Sequence, residues 1–278
     1  INFIKRFCNN KLAVIGLAVI LIITFIVIVV PPMLKYSEAK IDPLAFSSPP
    51  DSEHLLGTDD VGRDILSRLL YGGRVSLFVG VVSTLISVAI GIPLGLLASF
   101  YRGVFEIIVM RLSDIFMSFP SMIFILFLVS IFGPSIATVT LVIGVLGWPQ
   151  FARQINGSVL AIKEKDYVEG AIAVGGKDSR IIFKHILPNA IAPIFITITF
   201  RIAAAIILES SLSFLGMGVQ PPAASWGNML YNAQSITILT QRKWMWMPPG
   251  LVLVVVILSI NFVGNGIRDA LDPKTKIN

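Results

Sequence analysis

One glycine-rich stretch has the residue types that bind nucleotide phosphates. It reads Ala-Ile-Ala-Val-Gly-Gly-Lys-Asp over residues 171–178. A phosphate-binding loop requires glycine at its first position, and Ser or Thr after the lysine to ligate magnesium. Ala171 and Asp178 occupy those two positions. We therefore predict that this stretch binds no nucleotide and that the chain carries no cofactor of its own.

The histidines and the cysteine do not predict a metal site or a catalytic group. His54 and His185 lie far apart in the chain, and Cys8 is the single cysteine, which excludes an internal disulfide. No apolar segment places a nucleophile beside a base or holds a pair of metal ligands. We expect no catalytic residue and no metal, and we interpret Cys8 as a bystander.

Two ionisable residues lie within one long apolar run, where a charge is costly and usually faces the protein interior or water. Glu209 and Arg201 are eight residues apart, which is ~12 Å along a helix and close to the same face. They are candidates for a substrate pathway, with Glu209 contacting a cationic cargo. The alternative is a protonated or paired structural group. Asp114 beside Arg111 reads as a structural or gating pair.

The composition places the chain in a membrane. Hydrophobic residues make up 55% and charged residues 14% of the chain, whereas soluble domains average roughly 25% charged residues. The formal charge of +6 is then explained by Lys and Arg held on the cytoplasmic side, and we exclude nucleic acid as a partner. The expected partner is the lipid bilayer, crossed by helices of ~20 apolar residues.

The apolar runs predict an all-α integral membrane protein with six transmembrane helices. The first run resembles a signal peptide but lacks a small-residue cleavage site, so we interpret it as an uncleaved anchor. Because the chain starts at Ile1, we expect further N-terminal residues in the natural protein. Gly91 and Pro93 mark a predicted kink in the second run. The predicted spans are residues 12–30, 75–100, 115–132, 135–148, 190–215 and 248–266.

The distribution of basic residues predicts the orientation of these spans. With the N-terminus inside, cytoplasmic segments hold 14 Lys and Arg, outer segments hold 7, and Arg201 lies in a span, which accounts for all 22. The excess marks the cytoplasmic side, so both termini are predicted to be cytoplasmic. We divide the chain into an anchor helix with an outer loop, 1–73, and a five-helix transmembrane domain, 74–278, that includes a cytoplasmic loop at 150–189.

The cytoplasmic loop contains a polar, basic segment, residues 167–189, between two apolar runs. Its pattern predicts two short helices joined by glycine. Acidic residues through Glu169 suit the positive N-terminal end of the first helix. Gly175 would end that helix, because glycine tolerates the left-handed conformation.

The second predicted helix begins at Asp178 or Ser179 as its N-cap and continues until Pro188 redirects the chain. Two short helices of this kind make a compact knob that suits docking to another protein. The alternative, from periodicity alone, is a long loop lying on the lipid surface.

The outer loop carries a second local pattern. Thr58 or Asp59 would cap a helix whose apolar stripe includes Ile65 and Leu69, with Arg63 on its polar side. Such a helix would lie in the membrane interface as a landing surface for another protein or as a plug near the outer mouth. The alternative is a packing element that anchors the second span.

The polar segment resembles the EAA motif of ABC importer permeases. That motif reads Glu-Ala-Ala, three residues, Gly, then nine residues before Ile-x-Leu-Pro. Glu169-Gly170-Ala171 begins it here, Gly175 follows, and Leu187-Pro188 ends it. Two positions depart from the pattern: Gly170 replaces alanine, which would loosen the helix by up to ~1 kcal/mol, and His185 stands where isoleucine is usual.

Two further stretches resemble the branch of that family that handles peptides, nickel and opines. One is SFLGMGVQPP at 213–222, continued by SWG at 225–227, and with Leu-Asp-Pro at 271–273 the resemblance covers essentially the whole chain. The other is the outer-loop motif, whose matching residues are Gly57, Thr58, Asp59, Gly62, Arg63 and Asp64.

The resemblance implies a type I ABC importer permease fold in a bacterial or archaeal cytoplasmic membrane. Two permease subunits, here a second and different homologous chain beside this one, would form the pathway. Two cytosolic ATPases would bind ATP and magnesium, and a substrate-binding protein would deliver cargo outside. The resemblance implies an ATPase-coupling role for Glu169, Gly170, Ala171, Val174, Gly175 and Pro188.

The cargo that the resemblance implies is a di- or oligopeptide, whose amino terminus Glu209 would contact. Nickel, metallophores and opines remain open within the same family. A self-contained secondary transporter would show paired inverted repeats, which the sequence lacks, and it has no use for a cytoplasmic knob. A non-catalytic membrane subunit of an ATP-driven importer is therefore the function we predict.

Overall fold

The computed structural model describes residues 2–271, so the Asp272-Pro273 part of the C-terminal motif lies outside the described residues. The predicted all-α class is confirmed. Within residues 2–271 the regular structure is helical, with two isolated antiparallel bridges, Ile41 to Arg63 and Thr58 to Asp64, in the loop before the second span.

Fourteen α-helices are formed by the described residues, together with a π-helix at Ile181–Ile186. They are α1 (Asn2–Asn9), α2 (Lys11–Val29), α3 (Ile65–Tyr101), α4 (Gly103–Ser118), α5 (Ser121–Phe132), α6 (Ile136–Leu146), α7 (Trp148–Lys163), α8 (Asp166–Ala173), α9 (Asp178–Arg180), α10 (Leu187–Ala190), α11 (Ala192–Phe214), α12 (Trp226–Leu230), α13 (Ile236–Gln241) and α14 (Met247–Leu271).

Five of the described helical segments are long and apolar enough to cross a membrane, and a sixth crossing results if α4 and α5 count as one span. The predicted spans at 12–30, 190–215 and 248–266 correspond to α2, α11 and α14. The span predicted at 135–148 is longer than expected, because α6 and α7 form one 28-residue segment, Ile136–Lys163.

The span predicted at 115–132 is broken within its length. α4 and α5 meet at an angle of 90°, with Phe119 extended (φ −85°, ψ 139°) ahead of Pro120. A proline lacks the N–H of a helical bond and disfavours helical backbone in the residue before it. The break is therefore local chemistry inside a run that is apolar throughout.

For the outer loop, the structure favours the alternative of a packing element that anchors the second span over a separate interfacial helix. Residues 65–70 are the first turns of α3, and the helix cap is Asp64, whose carboxylate accepts from the Ser67 N–H at 2.7 Å, not Thr58 or Asp59. At 37 residues, α3 is ~55 Å long and extends well beyond a hydrocarbon layer of ~30 Å. The predicted division at residue 73 falls within this helix.

Helix α3 is the central element, and its glycines allow close packing on both sides. A Cβ on Gly91 would lie 2.5 Å from the Trp148 carbonyl, and one on Gly95 would lie 2.2 Å from the Ala152 carbonyl, both on α7. A Cβ on Gly80 would lie 2.5 Å from Ile206 of α11. Glycine is required where backbones approach this closely, so α3, α7 and α11 form one packed unit.

Candidate functional site

The first half of the polar segment folds as predicted. Helix α8 carries Asp166 and Glu169 in its first turn, where carboxylates interact favourably with the helix dipole. Gly175 has a φ of +75°, and the N–H of Gly176 bonds the Ala171 carbonyl at 3.0 Å. The predicted glycine stop is therefore confirmed.

The second half differs from the prediction. The N-cap of α9 is Lys177, without a side-chain bond, so the predicted caps Asp178 and Ser179 are wrong. The π-helix follows, in which the Leu187 N–H reaches the Ile182 carbonyl five residues back. Pro188 lies in the first turn of α10, where the absence of its N–H is tolerated. The chain therefore remains helical past Pro188 to Ala190.

Helices α8 to α10, residues 166–190, form a unit that we call the knob. Its inner side, with Val168, Ile182 and Ile186, is buried against Ile155 of α7 and Leu96 of α3 in one hydrophobic cluster. The knob therefore shares one close-packed core with α3 and α7.

Three large apolar side chains of the knob are exposed among the described residues. Val174 is 85% exposed, Phe183 67% and Tyr167 49%. Exposed apolar groups rimmed by polar residues mark protein or membrane interaction sites. Glu169, Gly170 and Pro188 are exposed on the same unit, and Ala171 is half-buried.

The outer-loop motif lies at the opposite end of α3 and is a closely bonded cluster. The Asp59 carboxylate accepts from the N–H groups of Val61 (3.0 Å) and Arg63 (2.9 Å), and from the Arg63 side-chain Nε at 2.6 Å. The guanidinium of buried Arg68 lies 3.5 Å from the same carboxylate. Buried charges of this kind must be paired, so the motif has a structural function at this point.

His54 and Asp64 tie the loop to the start of α3. The His54 Nδ1 lies 2.9 Å from the Asp64 carboxylate that caps the helix, and its Nε2 lies 3.6 Å from the Asp42 carboxylate. The His54 backbone N–H donates to Asp51 at 2.6 Å and holds the pKa of that carboxyl below its ordinary value. The only signal of this contact in the sequence is a histidine ten residues before the N-cap aspartate.

The glycines and the threonine of the motif close the loop. Gly57 and Gly62 have φ values of +75° and +83°, and a Cβ on Gly62 would lie 2.3 Å from the Asp42 carbonyl. The Thr58 hydroxyl bonds the Ala45 carbonyl and accepts from the Ser48 N–H at 2.9 Å. The type of residue at each of these positions is therefore set by the loop's own geometry.

A cavity of about 340 Å³, which we call the loop cavity, lies between the outer-loop motif and the segment after α11. Both segments were identified as motifs in the sequence, but not as neighbours. The polar side chains that line the cavity are Asp59, Asp60, Arg63, Arg68, Ser213, Gln220, Asn228, Tyr231 and Asn232.

Glu209 lies just behind this cavity in a fully buried hydroxyl network. Its carboxylate accepts from Ser76 of α3 at 2.9 Å and from Ser213 at 2.8 Å. The Ser76 oxygen accepts in turn from the Trp226 N–H (3.2 Å), and the Ser213 oxygen from the Val219 N–H (3.0 Å). This network joins α3, α11 and the segment after α11.

Arg201 is not brought to Glu209. Its Nη2 donates to the Ile143 carbonyl of α6 at 3.1 Å, and within residues 2–271 its buried Nε has no hydrogen-bond partner. Asp114 does pair with Arg111, at 3.8 Å, and Arg153 of α7 joins it. The Asp114 cluster therefore links α4 to α7.

Comparison with known proteins identifies the family. Residues 91–277 match the profile described as "Binding-protein-dependent transport system inner membrane component", and residues 2–50 match "N-terminal TM domain of oligopeptide transport permease C". The chain belongs to this family of permeases.

Individual relatives and a solved structure agree with that assignment. A putative peptide permease of Brucella suis is 42% identical over 99% of this permease and 91% of the relative. The dipeptide transport system permease DppC of Alkalihalophilus pseudofirmus is 38% identical over 98% and 89%. A chain from a solved structure of the inward-facing MetNI methionine ABC transporter is 21% identical to this permease and matches it with a TM-score of 0.59. The match covers 75% of this permease and 98% of that chain. It shows the type I importer fold.

Proposed function

We propose that this permease is one membrane subunit of an ATP-driven importer and forms half of the pathway for short peptides. The peptide and dipeptide permeases among its relatives support that cargo class. A second, homologous permease, two cytosolic ATPases that bind ATP and magnesium, and a substrate-binding protein complete the assembly. Its location is the cytoplasmic membrane of a bacterium or archaeon.

The observation on which the proposal rests is the knob. Its exposed apolar side chains, Val174 and Phe183, suit a protein groove, and its buried side is continuous with the cores of α3 and α7. Closure of the ATPases around ATP would therefore move the spans as a rigid unit between two states. The proposed contact set is Glu169, Gly170, Ala171, Val174, Gly175 and Pro188.

The orientation that we propose has the knob and both termini in the cytoplasm. Helix α2 returns to the start of α3, since Arg74 donates to the Val27 carbonyl at 2.6 Å and Tyr71 to the Pro31 carbonyl at 3.3 Å. The other end of α2, next to α1, is therefore at the knob end of the molecule. The excess of basic residues on that side supports a cytoplasmic knob.

Cys8, the single cysteine and an exposed one, reports this orientation. We expect a membrane-impermeant maleimide to label it in inverted membrane vesicles and not in intact cells. Ser52→Cys in a Cys8→Ala background, at an exposed outer-loop position, should give the opposite result. Labelling of Cys8 in intact cells, with Ser52→Cys protected, would show that the proposed orientation is wrong.

Reconstitution tests the function itself. Proteoliposomes that contain this permease, the sister permease and the ATPases are expected to accumulate a radiolabelled tripeptide when ATP and the binding protein are supplied. Liposomes with the two permeases alone, or with ATP replaced by a non-hydrolysable analogue, should accumulate none. Peptide uptake by the permeases alone would contradict the proposal and favour a self-contained transporter.

A further inference from the structure

The loop cavity holds opposite charges whose hydrogen-bonding capacity is only partly used. A guanidinium has five N–H donors, and among the described residues the Arg63 side chain bonds only through Nε, to Asp59. Asp60 accepts from Asn232 at 2.7 Å through one oxygen, and its other oxygen has no partner there. The Arg63 guanidinium therefore has N–H donors, and Asp60 has one carboxylate oxygen, that are available to a ligand in the cavity.

The charges of the cavity sum to zero. Asp59 is shared between Arg63 and the buried Arg68, and Asp60 is exposed at the rim. A neutral site that holds both positive and negative groups favours a ligand that is itself neutral but carries both charges, because each charge of the ligand is then matched. An inorganic anion or cation would leave one charge of the site unmatched.

We propose that the loop cavity binds the zwitterionic form of a short peptide, with Arg63 on its α-carboxylate and Asp60 on its ammonium group. Arginine and a carboxylate frequently form two parallel hydrogen bonds. About 340 Å³ is at the low end of the range for small-ligand sites, which suits a di- or tripeptide. This inference rests on the proposed function and adds the charge state that the subunit recognises.

The cavity is also mechanically connected to the spans. Ser213 lines it and donates to the buried Glu209, which accepts from Ser76 of α3. A peptide in the cavity would therefore contact the outer end of the α3 and α11 unit whose other end holds the knob.

Blocked peptides test the proposal in the assembled transporter, held in lipid nanodiscs without the binding protein. Binding of trialanine, N-acetyl-trialanine and trialanine amide is measured by isothermal titration calorimetry or by saturation-transfer NMR. We expect trialanine to bind at least about tenfold more tightly than either blocked form, since each lacks one charge-assisted contact. Equal affinity of the three peptides would overturn the proposal.

Two cavity variants then show which side chain binds which end of the peptide. Asp60→Asn should weaken trialanine and its amide about tenfold and leave N-acetyl-trialanine unchanged. Arg63→Gln should weaken trialanine and the acetylated form and leave the amide unchanged. Glu53→Gln, an exposed acid of the same loop outside the cavity, should change none of them. Asp60 is exposed, so its variant remains informative even if Arg63→Gln disturbs the Asp59 cluster.

The outcomes separate this proposal from the proposed function. If Asp60→Asn weakens the binding of all three peptides equally, or of none, the cavity does not recognise the ammonium group. This holds whether or not the assembly imports peptides. Peptide uptake without any dependence of binding on the termini overturns the cavity proposal alone. Binding that depends on both termini in an assembly that imports no peptide overturns the proposed function and retains the site.

Discussion

Replacement of Gly175 by valine is expected to abolish ATP-driven uptake by the assembled transporter. Gly175 has a φ of +75°, and a β-branched residue in that conformation costs about 1–3 kcal/mol. No atom lies within 4 Å of the position of its Cβ, so the effect is a change of backbone path and not a clash. The end of α8 would turn differently and carry Val174 away from its docking position.

The measurement is peptide uptake beside ATP hydrolysis in the same proteoliposomes. A loss of ~1.4 kcal/mol or more in docking corresponds to at least a tenfold weaker contact with the ATPases. We expect uptake and the hydrolysis stimulated by the binding protein to fall together. Capture of peptide by the binding protein should be unchanged, because that step does not involve the knob.

Gly170→Ala is the matched control on the same helix. Gly170 is exposed, has an ordinary helical backbone and no neighbour near its Cβ position, so alanine should strengthen α8 by up to ~1 kcal/mol. Gly170 belongs to the proposed contact set, but the motif usually has alanine at this position, so transport should be retained or raised. Normal coupled uptake in Gly175→Val, with the Gly170→Ala control also active, would remove the coupling role from this turn.

The knob and most of the spans were predictable because their signals are local. Apolar runs of sufficient length define α2, α11 and α14, and the acidic start and glycine end of α8 lie within ten residues of each other. The π-helix was not predictable in this way. Its wider turn places Ile181, Ile182 and Ile186 on one buried face. That face is buried only once α7 has packed against it.

Contacts between distant segments account for what the sequence did not reveal. The Ser76–Glu209 bond joins residues 133 apart, and Trp226 donates to the Leu69 carbonyl across 157 residues. The sequence around one partner gives no indication of which distant residue it contacts. The loop cavity arises in the same way, from two motifs that were each recognised but whose contact depends on how α3 meets α11.

The break between α4 and α5 had a visible signal that hydropathy does not measure. Pro120 is the sixth residue of the predicted span, yet a window of mean hydropathy treats it as one more permitted residue. Proline inside a transmembrane run is often tolerated, so its presence alone did not predict a 90° turn. The extended backbone of Phe119 interrupts the helix here, whereas a helical residue before the proline would have left only a kink.

Gly95→Ala is expected to destabilise the permease strongly, because the added methyl group would meet backbone atoms of α7. The new Cβ would lie 2.2 Å from the Ala152 carbonyl oxygen and 2.7 Å from the Ala152 Cα. Backbone atoms cannot rotate aside as a side chain does, so α3 and α7 must separate. Overpacking of a core costs roughly 1–3 kcal/mol and occasionally more, and we expect the upper end of that range.

Gly157→Ala on α7 isolates the packing effect. Gly157 is also helical, but no atom lies within 4 Å of its Cβ position, so alanine should be neutral or stabilising by up to ~1 kcal/mol. The measurement is the temperature at which half of the purified permease in detergent leaves its monodisperse peak. Equal midpoints for Gly95→Ala and Gly157→Ala would show that α3 and α7 are not in close contact. A lower midpoint for Gly95→Ala alone places that contact where the knob joins the spans, since Leu96 and Ile155 belong to the cluster that holds the knob.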